Sequence, residues 1–413
     1  MRHPIDPTRR QWLRTALGAG AAAGALGPLA SLSLAATAPT AGAAGSRRFV
    51  MVILRGGLDG LYAVPAVGDP DFAATRGALA QYASTPLPLS GPFALHPNLT
   101  QLHAMYTAGE ASVVHATGLA YNERSHFDAQ NVLESGGARP FQITTGWLGR
   151  TLVQEGSKGM ALSTTVPLVL RGSGSVDTWA PATLPDPNVD LVTRLERLYA
   201  GDAALGAALA RAKALHFDAS MMAEMNASTD SAAGMAGGAG RPGGFVVLAQ
   251  RAAEFLARRD GPRIAVLEMG GWDSHANEAA PTGTTANNLR QLDAGLAALR
   301  AGLVAGQAWR ETVVVVATEF GREVAINGTL GTDHGSGGAA FVLGGGIQGG
   351  RVIADWPGLA RKDRFEGRDL RTTLDLRAVL KGALHDHLQV ARRALDTEVF
   401  PSSEAVKPLT LIA

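Results

Sequence analysis

Apolar positions fall along this chain in two rhythms. Unbroken apolar runs, rich in β-branched residues, occupy Ser46–Leu54, Ala111–Thr117, Arg263–Met269, Thr312–Thr318 and Ala339–Gly344. A run of that length without polar alternation predicts a strand covered on both faces. Another strand is expected over Ala161–Leu170. Between these runs the apolar residues recur at helical spacing, predicting helices over Asn98–Ala108, from near His126, over Trp147–Glu155, Phe245–Arg259 and Thr285–Val304. Leu191, Leu195, Leu198, Leu205 and Leu209 predict one long helix over Asp190–Phe217, and a last helix is expected from Leu374 to about Leu388. Asp69–Tyr82 reads as a helix or an irregular excursion. Strands alternating with helices predict a three-layer α/β fold with a mostly parallel central sheet flanked by helices.

Two stretches break the pattern. Residues 218–244 are Met, Ala, Gly, Ser and Asn without period, which reads as a flexible loop. Their four methionines lack the regular spacing a soft-metal site would need. At the amino end, TRRQWLR from Thr8 to Arg14 precedes a weakly apolar stretch, Ala16–Ala36, that glycines and Pro28 interrupt. Paired arginines, a mild apolar segment and the small residues Ala41, Gly42 and Ala43 predict a twin-arginine export signal over residues 1–43, with the Tat translocase as partner. The segment is too mildly hydrophobic for a stable span, so a single domain over 44–413 is expected in the periplasm, with no stable membrane span after cleavage.

Loss of residues 1–43 removes four arginines and one aspartate and moves the formal charge from +1 to −2. A near-neutral chain without a lysine or arginine run is a poor partner for nucleic acid. The chain has no cysteine, which excludes disulfides, thiolate metal sites and cysteine nucleophiles together.

Candidate chemistry gathers where the apolar runs stop. In an open α/β sheet, ligands sit beyond the carboxyl ends of the strands. The first run ends in RGGLDGL, with Arg55 and Asp59 around a tight glycine turn; a βα turn with a capping aspartate and a ligand-approach loop are both open readings. The run ending at Met269 leads into GGWDSH, where Asp273 and His275 flank one residue. The run ending at Thr318 leads into Glu319, Phe320, Gly321 and Arg322, then through a glycine-rich turn to Asp333 and His334. Three such endings plus a TDHG cluster predict carboxylates and imidazoles converging at one sheet edge, as a divalent cation needs. Asn122, Glu123, Arg124, Ser125, His126 and Asp128 crowd before a helix; Ser125 is either its cap or a nucleophile facing the helix dipole. His115 lies among apolar neighbours and reads as a core histidine. His385 and His387 sit on different helix faces and do not share a metal.

RGGLDGL, SHFDAQ, GGWDSH, TEFGR, GTDHG and GGRVIADWPGL, in that order behind a Tat-like leader, resemble the bacterial secreted family known as domain of unknown function 1501. That family is grouped with the alkaline phosphatase and sulfatase superfamily, so the resemblance implies an alkaline phosphatase-like fold with a metal site at the carboxyl edge of its sheet. It implies metal ligation by Asp59, Asp273, His275 and His334, with Ser125 at the nucleophile position. The chain departs from the superfamily in one place: Phe320 stands where a Ser-Asp-His-Gly ending would carry a histidine. It also lacks the motif from which sulfatases make formylglycine.

Together these readings predict a periplasmic, metal-dependent hydrolase of phosphate or sulfate esters acting on a small-molecule or glycan ester. A divalent cation (Zn, Ca, Mg or Mn) is expected on Asp59, Asp273, His275, Glu319, Asp333 and His334, with Arg55 or Arg322 clamping the ester oxygens. The alternative is a non-catalytic periplasmic ligand-binding protein on the same fold.

Overall fold

Eleven strands are seen in the computed structural model, which describes residues 47–181, 189–213 and 244–412. The expected signal, residues 218–243 of the expected 218–244 loop with its methionines, and the end of the helix expected to reach Phe217 lie outside those residues, while Gly244 already opens a helix. The strands are β1 Arg48–Leu54, β2 Leu87–Pro88, β3 Ala94–Leu95, β4 Ala111–Gly118, β5 Lys158–Ala161 and β6 Ser175–Thr178, then β7 Ile264–Met269, β8 Thr312–Thr318, β9 Gly338–Gly344, β10 Arg351–Ile353 and β11 Leu374–Asp375. β2 and β3 form a small antiparallel hairpin; the others make one sheet in the order β10, β4, β9, β8, β1, β7, β5, β6, with β11 also paired to β4. Every pairing in that sheet is parallel except those of β9, which runs antiparallel to both β4 and β8.

Side chains alternate across a strand, and β1 uses both faces. Val50, Val52 and Leu54 enter one apolar cluster with Leu289, Leu292 and Leu296 of the Thr284–Ala305 helix and Ala252 and Phe255 of the Gly244–Ala257 helix. Phe49, Met51 and Ile53 enter a second cluster with Val132 of the His126–Ser135 helix, Trp147 and Leu148 of the Trp147–Glu155 helix and Leu380 of the Leu376–Gly382 helix. The continuous apolar runs are thus explained by helices on both sides, the three-layer α/β class expected from them.

Three elements depart from the expected pattern. The strand expected over Ala161–Leu170 ends at Ala161; Pro167 lacks an N–H for a ladder, and Leu168–Leu170 instead turn as a 3₁₀ helix that sets Val169 and Leu170 into the core. The long helix expected from Asp190 breaks after Val189–Tyr199, because the Asp202 carboxylate accepts from Ala204 N at 2.9 Å and Leu205 N at 3.0 Å and starts a new helix. The last helix begins at Leu376, capped by Asp375, and widens into a π-type turn over Ala383–His387. In that turn His387 Nε2 meets Arg48 O and Glu311 O, while His385 Nδ1 meets Val390 O. His115 is a satisfied core histidine, bonded to Val64 O and Ala116 N.

Candidate metal centre

β1, β4, β7 and β8 point their carboxyl ends the same way, and the antiparallel β9 begins at that edge. The loops after four strands and the loop before a fifth therefore meet there. The loop after β8 and the loop before β9 lie backbone to backbone: Gly321 N donates to Ser336 O at 3.0 Å, Gly335 N to Gly321 O at 2.9 Å, and Arg322 pairs with His334 in an antiparallel bridge. A Cβ on Gly335 would stand 2.4 Å from the Arg322 carbonyl carbon. The approach that carries His334 into the site thus requires glycine.

Three imidazoles and one carboxylate converge. His334 Nε2 lies 3.0 Å from His126 Nε2, 3.0 Å from His275 Nε2 and 3.2 Å from Asp273 Oδ1. Asp273 also lies 3.0 Å from His275 Nε2 and 3.4 Å from His126 Nε2. Each ring is fixed from behind through Nδ1: His126 by Glu319 Oε1 at 2.8 Å, His275 by Asp333 Oδ1 at 3.0 Å, His334 by the carbonyl of Arg124 at 2.9 Å. Arg124 adopts a left-handed φ of 59°, which belongs to the turn presenting that carbonyl.

Those partners decide the tautomers. A carbonyl oxygen only accepts, so His334 carries its proton on Nδ1. Hydrogen bonds from His275 hold Asp333 below the usual carboxylate range. Burial would raise Glu319, but hydrogen bonds from His126 and Gln130 reverse that and hold it low. Both carboxylates are therefore acceptors, and all three rings in their neutral form turn bare Nε2 lone pairs toward one another. Bare nitrogens 3.0 Å apart repel unless a proton or cation lies between them. Without a cation, the hydrogen bond to Glu319 pushes His126 up while burial pushes His334 down. A tetrahedral zinc ion, with bonds of about 2.0–2.1 Å, separates its ligand nitrogens by about 3.3 Å, close to this spacing. Three imidazoles anchored through their second nitrogens are also the arrangement that orients metal-ligating histidines generally.

The structure brings Asp273, His275 and His334 together. It sets Glu319 and Asp333 behind them. Glu319 is wholly buried and accepts also from Gly56 N at 2.8 Å, Gln130 Nε2 at 3.0 Å and Thr318 Oγ1 at 3.1 Å. Asp59 is not in the cluster: Oδ1 accepts from Leu61 N and Tyr62 N, capping a short helix, and Oδ2 makes a buried ion pair with Arg76. Arg55 is held by Glu134, Glu268 and Gln130, and Arg322 is buried with Nη1 3.0 Å from Asp273 Oδ1, an ion pair without hydrogen-bond alignment. Ser125 is the N-cap residue of the His126–Ser135 helix, yet its side chain makes no capping bond.

His126 is the member of this cluster that the sequence did not single out as a candidate ligand. Its signal was present in the polar crowd at a helix start following a buried strand. Phe320, which takes the place of a possible ligand, packs its ring against His126 and His334 at centroid distances of 4.7 and 4.9 Å. The cluster is open to solvent: the Asp273 and His275 side chains are 45% and 47% exposed.

The family model described as "Protein of unknown function (DUF1501)" matches residues 89–398. No curated protein matches the chain. Among solved structures, the protein Ps i-CgsB, crystallised with k-i-k-neocarrahexaose, is similar over 88% of this chain and 77% of its own, at 10% identity and a TM-score of 0.44. The PsFucS1 sulfatase from Pseudoalteromonas sp. is similar over 89% and 72%, at 14% identity and a TM-score of 0.40. The phosphonate monoester hydrolase of Agrobacterium radiobacter is similar over 84% and 74%, at 12% identity and a TM-score of 0.38.

Proposed function

The chain belongs to the family described as protein of unknown function (DUF1501), and from that premise and the imidazole cluster we propose that it is a metal-dependent hydrolase of phosphate or sulfate esters. The observation that carries this reading is the meeting of three Nδ1-anchored Nε2 atoms with Asp273. His126, His275, His334 and Asp273 would hold the cation. Three imidazoles and a single carboxylate favour zinc or another borderline ion over calcium or magnesium, which prefer oxygen. When bound, the ion supplies charge neutralisation at ester oxygens and eases deprotonation of an attacking hydroxyl.

The chain's own residues do the rest. Ser125 would present its uncommitted hydroxyl as nucleophile beside His126. The first N–H groups of the ten-residue helix, with no Ser125 side chain spent on them, would receive negative charge developing on the ester. Arg322 would act as a positioning residue, holding Asp273, for which burial is outweighed by Arg322 and the neighbouring imidazoles, so that it ionises below the usual carboxylate range.

Metal analysis of the purified protein, followed by an aryl phosphate and sulfate ester panel, tests the reading. His275→Ala should cost both metal and turnover; Ser125→Ala should abolish turnover and leave the metal in place. A metal-free wild type that cleaves no ester would overturn it. One observation favours the rival, a ligand-binding protein: both arginines expected to clamp the ester are committed elsewhere, Arg55 to Glu134 and Glu268 and Arg322 to Asp273. A metal-loaded protein that cleaves nothing would decide for it.

Export by the Tat pathway belongs to the same proposal. Its support is the RRQWL segment and the small residues before Ala44; among the described residues no helix is long and apolar enough to cross a membrane. Replacing Arg9 and Arg10 by lysine should block export of the mature chain to the periplasm. Efficient export of that variant would exclude the Tat route.

A further inference from the structure

Large apolar side chains left in water demand an explanation when they cluster beside a site. Phe127 follows His126 directly and is 84% exposed, and Phe141 is 67% exposed. The two belong to one surface. Asn131, one helical turn on from Phe127 and on the same side of the helix, accepts from Phe141 N through Oδ1 at 2.7 Å. Phe141 is held there at a φ of 60°, a left-handed conformation that a bulky side chain adopts only at an energetic cost. A buried ring would recover that cost by packing, but this ring is exposed. Two residues away, Arg139 is exposed and its side chain makes no ion pair or hydrogen bond among the described residues.

We propose that Phe127, Phe141 and Arg139 form a platform for an anionic sugar chain, delivering an ester on that chain to the metal centre. The proposal rests on the ester-hydrolase reading and names its substrate class. A sugar ring has an apolar C–H face that lies flat on an aromatic ring and hydroxyl edges that stay in water, which suits two rings exposed on an open surface. An aryl ligand gains more from an enclosed apolar pocket. A cavity of about 290 Å³ beside Tyr199, Leu209 and Lys213 is lined by none of the cluster residues. The unpaired guanidinium supplies charge complementarity to a second sulfate, phosphate or carboxylate along the chain.

Calorimetric titration of the purified full chain with short dextran sulfate, and with unsulfated dextran and inorganic polyphosphate as controls, tests this. Wild type should bind dextran sulfate in preference to both controls, and binding should persist in a chelator because the platform residues are not ligands. Phe127→Ala and Phe141→Gly should each weaken binding about tenfold, the size of one good aromatic contact, with metal content unchanged. Glycine is chosen at 141 because it relieves the left-handed strain. Arg139→Ala should weaken binding to dextran sulfate and leave unsulfated dextran unaffected. Equal binding of dextran sulfate and polyphosphate, or phenylalanine variants that bind like wild type, would overturn the platform by reducing it to charge alone. A protein that holds metal and cleaves aryl esters but ignores dextran sulfate would also overturn it, leaving the hydrolase reading intact. Platform binding in a protein without metal or turnover would remove the hydrolase reading and keep the platform.

Discussion

Two carboxylates do the same job at this site under different conditions. Glu319 and Asp333 each accept from a histidine Nδ1, but Glu319 is buried and takes four hydrogen bonds, whereas the Asp333 side chain is 49% exposed. Water can stand in for Asp333 and cannot reach Glu319. Glu319→Gln replaces an acceptor-only group by an amide, removes the charge that favours His126, and should lower metal affinity roughly 10- to 100-fold. Asp333→Asn should cost less than about tenfold, since solvent screens an exposed partner. Competition against a fluorescent chelator measures both, and equal losses would show that burial does not set the strength of these supports.

At the level of elements, the centre depends on two loops that could not approach with side chains between them. Gly335 packs on the Arg322 backbone, and Gly56, at a φ of 120°, places its N–H on Glu319 with no room for a Cβ, the nearest atom being Asp273 N at 2.6 Å. Gly335→Ala would push the His334 loop off the end of β8. The expected result is a loss of about 1–3 kcal/mol, typical of overpacking, together with weakened metal binding. Gly109→Ala provides the contrast: a Cβ there meets nothing within 4 Å, though its φ of 76° still carries backbone strain. It should therefore lower the melting temperature without touching metal affinity. Thermal melts alongside chelator titrations separate the two.

For the molecule as a whole, buried histidines contribute to the loss of stability in acid. Burial pushes His115 down to about 4, and His387 is likewise lowered to about 4. In the unfolded chain both return to about 6.5. The folded state therefore binds fewer protons between those values, so stability is fully present above about pH 6.5 and is lost as pH falls toward 4. Each such histidine costs about 1.4 kcal/mol per pH unit inside that window. Denaturation at pH 7, 6 and 5, with chelator present to strip any bound cation, should show this decline, and His115→Gln should make it shallower. A flat profile would mean that folding lowers the pKa of neither histidine.

The sequence by itself determined what depends on neighbours along the chain. Unbroken β-branched runs are strands because both faces must be covered, and an acidic or histidine ending such as GGWDSH or TDHG stands at a strand's edge because the chain has to leave the sheet there. Those local facts made the α/β class and the positions of Asp273, His275 and His334 legible. They carried no information on direction. Asp59 stands at a strand ending like the others, yet its carboxylate turns back onto Leu61 N and Tyr62 N and pairs with Arg76, while His126, eight residues beyond the end of β4, turns into the cluster. Only the tertiary structure decided which side of each loop faces the shared space. The contacts that decide it join His126 to Glu319 and His334, 193 and 208 residues away in sequence. They arise from the strand order, from the single antiparallel strand that starts at the working edge, and from glycines that let two loops touch, none of which a residue's near neighbours encode.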